Sequence, residues 1–177
     1  PHLEVKLVDE RGEPVPRGER GEICTRGYSV MKGYWDDDER TRETIDDNGW
    51  LHSGDLGVMD EDGYVQVVGR IKDMIITGGE NVYSVEVEQA IYAMDGVDQC
   101  CVVGVPHEKW GEAVHAIVVP KAGSAIDRTA VLAHCAECLA NYKRPLEVTI
   151  REEPLPVSGA GKILKRVLRD ELGKHGA

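Results

Sequence analysis

No stretch of this chain approaches the roughly 18 consecutive apolar residues that a membrane-spanning helix needs, and no low-complexity tract interrupts it. Positive charge is in short supply: 21 Lys and Arg face 32 Asp and Glu, for a net charge of −11. That balance excludes a nucleic-acid partner, because a phosphate backbone demands a basic footprint. No leader with a basic start and an apolar middle is expected from the opening residues. Pro1 and His2 run straight into the alternating segment Leu3-Glu4-Val5-Lys6-Leu7-Val8. A chain that opens without Met, inside an apparent strand, is expected to be a fragment.

What is present is ordinary for a globular protein. The 177 residues, 41% hydrophobic and 30% charged, suffice for one domain with a good core or two small ones. Charge is unevenly placed. Residues 34–63 hold 11 acids against 2 bases, whereas residues 141–177 hold 8 bases against 5 acids. The acidic run Asp36-Asp37-Asp38-Glu39 reads as a solvated loop, and the basic end is suited to a phosphorylated ligand. Five cysteines, an odd number, fit a reducing compartment and a cytoplasmic location. Cys100 and Cys101 lie in an apolar run and are expected to be buried thiols. Cys135 and Cys138 have C-x-x-C spacing, but no second Cys or His pair stands at zinc spacing, so no metal site is expected.

The fold class is α+β. Residues 1–70 form a β-rich segment, part of a β-barrel-like subdomain, with strands near Leu3–Asp9, Glu22–Thr25, Trp50–His52 and Tyr64–Val68. Residues 71–177 form a compact α+β domain with a small sheet and about three helices. Ser84 is placed to cap a helix reaching Met94, with Glu86 and Glu88 in its first turn. Strands follow near Gln99–Val105 and Ala113–Pro120. Asp127 opens a helix with Val131, Cys135 and Cys138 on one stripe. After a strand near Leu146–Arg151, a last helix from Ile163 to Leu172 turns Leu164, Val167, Leu168 and Leu172 inward. Lys165, Arg166 and Arg169 are expected on its outer face.

Three polar clusters offer chemistry. In Trp50-Leu51-His52-Ser53-Gly54-Asp55-Leu56-Gly57, Asp55 at a strand end can accept two hydrogen bonds from a diol such as a ribose, or can serve a simple turn. In the segment Gly69 to Asn81, the pair Gly78-Gly79 either lets a ligand approach the backbone or makes a plain hairpin turn. The third, Pro156-Val157-Ser158-Gly159-Ala160-Gly161-Lys162-Ile163, invites comparison with a P-loop. Pro156 and Ile163 stand where that motif needs Gly and Ser or Thr. What remains is a glycine loop presenting Lys162 at a helix start. The helix dipole opposes a cation there, so Lys162 is suited to an anionic ligand, with a solvated loop lysine as the alternative.

In this order and spacing the clusters resemble the adenylate-forming superfamily, most closely its acyl-CoA synthetases. The segment Tyr28-Ser29-Val30-Met31-Lys32-Gly33-Tyr34-Trp35, the run from Gly69 to Glu88 and the run from Pro156 to Leu168 carry the likeness. It covers essentially the whole chain. The resemblance implies the C-terminal region of an enzyme that activates a carboxylic acid with ATP as an acyl-adenylate, then lets CoA displace AMP. Between the two steps the C-terminal domain rotates. Residues 1–70 then correspond to the end of the large N-terminal domain, and 71–177 to the mobile domain.

By the same resemblance, Asp55 holds the ribose with help from Arg70, Lys72 takes the hinge position, and Lys162 reaches the carboxylate and α-phosphate. Gly78, Gly79 and Glu80 line the pantetheine tunnel, while Trp110 and Arg144 meet the CoA nucleotide. Ser53 stands where Thr is commoner in the family, and Ser84 where many relatives have Pro. The implied cofactors are ATP with Mg2+ and CoA, none held tightly by this stretch alone. The implied partners are a carboxylic acid and the remaining N-terminal domain. The family's phosphate loop, adenine segment and acyl pocket are not found in these residues. Met74-Ile75-Ile76-Thr77-Gly78-Gly79-Glu80-Asn81 looks like the fatty- and aryl-acid CoA ligases. A carrier-protein-loading adenylation domain and a non-catalytic binding module are the alternatives.

Overall fold

Alternation of apolar and polar residues makes residues 2–70 a sheet rather than a bundle. In the computed structural model, which describes residues 2–173, four strands pair antiparallel in chain order. They are β1 (Leu3–Val8), β2 (Arg20–Gly27), β3 (Leu51–Met59) and β4 (Val65–Arg70). The result is an open meander with no closure among the described residues. Leu7, Val8, Cys24 and Leu56 supply its buried apolar side chains.

Two expectations need correction here. The acidic run is not simply a solvated loop. Asp37 accepts a hydrogen bond from the Arg40 amide at 3.0 Å and opens helix α1 (Asp38–Thr44). Asp38 and Glu39 fall in its first turn, where the helix dipole favours acids. In addition, β3 does not end before Asp55 but runs through Gly54 and Asp55 to Met59. Gly54, at φ +71°, bends the strand without ending it.

The chain divides into two compact units, one ending at Lys72 and one beginning at Asp73. The second unit holds β5 (Met74–Thr77), β6 (Glu80–Tyr83), α2 (Ser84–Tyr92), β7 (Val97–His107), β8 (Gly111–Pro120), α3 (Arg128–Cys138), β9 (Glu147–Ile150) and α4 (Lys165–Gly173). β8 pairs with β7 along one side and with β5 and then β9 along the other; only β9 runs parallel to it.

Successive residues of β7 point to opposite faces, which explains the unbroken apolar run at 100–105. Cys100 and Val102 join Val87, Ile91, Val131 and Cys135 of α2 and α3 in one core. Cys101 and Val103 join Ile117, Leu155 and Leu168 in a second core, beneath α4. Burial pushes the thiols up, Cys24 and Cys135 to about 11, Cys101 to about 12 and Cys100 higher still.

Asp127 caps α3 as expected, accepting from the Ala130 amide at 2.8 Å. Cys138, however, is exposed at the helix end and donates to the His134 carbonyl. Ser84 is not a cap. Tyr83 holds that position, and the Ser84 hydroxyl is buried, accepting from Lys165 at 2.8 Å. Lys165 itself points inward, and on the same face the Arg169 Nε is shielded from solvent with no partner among the described residues. Lys165 stands three residues before buried Leu168 and shares its face, and Arg169 follows Lys165 by four on the same side, so their charge did not reveal their orientation.

Candidate functional site

The two-residue turn between β5 and β6 is built by Gly78 (φ +60°) and Gly79 (φ +86°), with Thr77 paired to Glu80. Positive φ at both central positions is the hairpin geometry that glycine provides best. The hairpin is also the wall of a pocket. The Gly78 amide donates to the Trp110 carbonyl at 2.9 Å, and a Cβ on Gly78 would lie 3.0 Å from the Trp110 ring.

Around this contact opens a pocket of about 370 Å³, lined among others by Thr77, Gly78, Glu80, Trp110, Tyr142 and Arg144. It brings together Gly78, Glu80, Trp110 and Arg144, which come from three separate stretches of sequence. Gly79 sits in the turn beside it but is not part of the lining. Trp110 and Tyr142 are each 43% exposed, so both aromatic side chains are partly open to solvent at the pocket. The Lys109 ammonium lies 4.5 Å from the Trp110 ring, and Arg144 donates through Nε to the Leu139 carbonyl at 3.0 Å. Aromatic faces with neighbouring cations suit a planar, anionic ligand. Tyr142 escaped the sequence reading, although it directly precedes Lys143 and Arg144 and its aromatic ring beside two cations was visible there.

Lys162 lies in a tight turn, not at a helix start. Val157 and Ile163 pair across it, Gly161 donates to the Ser158 carbonyl at 2.8 Å, and the Lys162 amide donates to the Ser158 hydroxyl at 3.2 Å. Gly161 takes φ +75° to close the turn, and α4 begins only at Lys165. The Lys162 side chain is exposed, with no partner for its ammonium among the described residues. A fixed turn thus carries an uncommitted cation.

In the first unit Asp55 and Arg70 face each other across β3 and β4, and Arg70 Nε donates to Asp55 Oδ1 at 2.7 Å. The segment before Asp55 is fastened by Glu22. One carboxylate oxygen accepts from the Gly54 amide at 2.9 Å, and the other lies 2.7 Å from His52 Nδ1. Cys24 Sγ is 3.5 Å from the same nitrogen, so Glu22, Cys24 and His52 cluster as metal ligands do. The 2.7 Å spacing is that of a hydrogen bond between His52 and Glu22, and burial raises the pKa of the Cys24 thiol. Lys72 is exposed, in the 3-10 turn Ile71–Asp73 where the units divide.

Comparison with known proteins adds to this geometry. A family described as AMP-binding enzyme C-terminal domain matches residues 86–162, and one described as AMP-binding enzyme matches residues 1–35. The chain is 51% identical over 170 residues to a feruloyl-CoA synthase of an Amycolatopsis species, covering 96% of this chain and 34% of that protein. It is 48% identical over 171 residues to a long-chain-fatty-acid–CoA ligase of Salmonella typhimurium, covering 97% of this chain and 30% of the relative. The crystal structure of ATP-bound MatB from Rhodopseudomonas palustris superposes with a TM-score of 0.95 at 42% identity, over 100% of this chain and 35% of that one. The chain therefore spans about a third of the length of these relatives. No helix among the described residues is long and apolar enough to cross a membrane.

Proposed function

This chain belongs to the adenylate-forming AMP-binding enzymes and to their acyl-CoA synthetase branch, and on that footing we propose that it is the C-terminal part of an ATP-dependent acid–CoA ligase. The overall reaction joins a carboxylic acid and CoA, with ATP cleaved to AMP and pyrophosphate, through an acyl-adenylate. The observation that carries the reading is the convergence of Gly78, Glu80, Trp110 and Arg144 on one pocket.

Each residue has an assigned task. Asp55, its Oδ1 engaged by Arg70, offers its other oxygen to the ribose hydroxyls of ATP. Lys162 neutralises the carboxylate and α-phosphate oxygens as charge builds between them; its exposure and its lack of a partner among the described residues fit that task. The glycines at 78 and 79 leave room for the thin pantetheine arm of CoA. Trp110 and Arg144 receive the nucleotide end, the ring by stacking and the guanidinium by charge. Glu80 forms the polar wall. Mg2+ is proposed to accompany the phosphates of ATP, and none of these residues is assigned to it.

Residues 1–70 are assigned to the end of a large nucleotide-binding domain and 71–177 to a mobile domain that turns about Lys72 between the two steps. On this reading the chain alone does not turn over, and a cytoplasmic location fits its five free cysteines. The test is thioester formation by the full-length ligase. Acid-dependent pyrophosphate release with CoA as acceptor is the expected result; turnover with a carrier protein and none with CoA would overturn the proposal.

A further inference from the structure

We propose that Glu112 is a positioning residue for thioester formation, holding the Gly78–Gly79 turn in place against Trp110. The inference rests on the reading of the pocket given above.

β5 is only four residues long and pairs with β8 at a single position, Thr77 with Gly111. Hydrogen bonding alternates along an antiparallel pair. With Thr77 and Glu80 closing the hairpin, the Ile76 amide points away from β6. No residue of the β8 ladder pairs with Ile76, and Glu112 serves instead: its Oε2 accepts from the Ile76 amide at 2.9 Å. A charged acceptor makes this stronger than the ladder bond it replaces.

The neighbourhood is shaped to admit that carboxylate. A Cβ on Gly104 would lie 2.9 Å from the Glu112 carboxyl carbon, and Gly104 is buried, so glycine alone leaves the space. Glu112 is also two residues beyond Trp110, whose carbonyl accepts from Gly78. The turn is thus held at two points, directly by the Trp110 carbonyl and, one residue into β5 beyond Thr77, by the Glu112 carboxylate. Glu112 is not among the residues lining the pocket. It acts through the turn, and removing it frees β5 to move against Trp110. Lys162 sits on a separate loop, so the first half-reaction does not depend on this clamp.

The test uses the full-length ligase and both half-reactions. Glu112→Ala is expected to slow thioester formation from supplied acyl-adenylate by about tenfold to a hundredfold, the scale of a displacement near 1 Å. Acid-dependent exchange of pyrophosphate into ATP should change by less than about threefold, on the same grounds of distance from the reacting atoms. Glu112→Gln keeps an acceptor oxygen and should retain most of the rate, while Gly104→Ala, which crowds the carboxylate, should reproduce the loss. In the 177-residue chain, NMR hydrogen exchange at the Ile76 amide should accelerate in Glu112→Ala and stay slow in Glu112→Gln.

Wild-type thioester formation in Glu112→Ala, equal loss of both half-reactions, or Gln behaving like Ala would each overturn the inference. Gly78→Val separates it from the underlying reading. If that variant forms thioester at the normal rate, the pocket assignment itself fails. If it is blocked while Glu112→Ala is unaffected, only the positioning role fails.

Discussion

Lys165 Nζ lies 2.7 Å from Glu88 Oε1, joining α4 to α2 beneath the surface of the second unit. The ammonium also donates to the Ser84 hydroxyl at 2.8 Å and the Val102 carbonyl at 3.2 Å, and Glu88 Oε1 accepts from the Val102 amide at 2.9 Å. The two side chains retain only 18% and 16% exposure, so a charge left without its partner is poorly solvated. Lys165→Met should therefore destabilise the unit by roughly 3 kcal/mol, because it strands a carboxylate. In denaturant titration the midpoint should fall with an unchanged slope. Combining Lys165→Met with Glu88→Gln should cost less than the sum of the two single changes.

The thiols divide sharply by burial. Cys24, Cys100, Cys101 and Cys135 are buried, with burial raising the pKa of each, whereas Cys138 is exposed. A disulfide reagent at pH 8 should label one thiol per native chain quickly, and Cys138→Ser should abolish that phase. The other four should react only on unfolding, since the reactive form is the thiolate. Fast labelling of two or more native thiols would contradict this packing.

Lys72→Pro tests the proposed hinge. Proline holds φ near −65°, so a backbone that must rotate at this position is confined to one setting. One half-reaction of the full-length ligase should be impaired far more than the other. An unchanged overall rate would remove Lys72 from that role.

Much of the scaffold was legible because its signals are local. Alternation marked β1, Asp127 marked the start of α3, and paired glycines marked the β5–β6 turn. What escaped depends on partners distant in sequence. Lys165 looked solvent-bound because charge was taken as a sign of the outer face. Its actual environment is set by Ser84 and Glu88, some eighty residues earlier. Ser84 looked like a cap for the same reason, since nothing nearby in sequence announced Lys165. Asp55 was placed at a strand end, yet pairing with β4 carries β3 through it. At the site, Gly78, Glu80, Trp110 and Arg144 were identified through family likeness. Their convergence on one pocket, and the bond from Ile76 to Glu112, needed the folded chain.

The central claim is that this chain supplies a cation for acid activation, and Lys162→Ala in the full-length ligase tests it most directly. Loss of a fixed charge where negative charge develops should slow acid-dependent pyrophosphate exchange by about 100-fold or more. CoA attack on supplied acyl-adenylate should proceed at close to the normal rate. Equal damage to both half-reactions, or no damage to the first, would contradict the account.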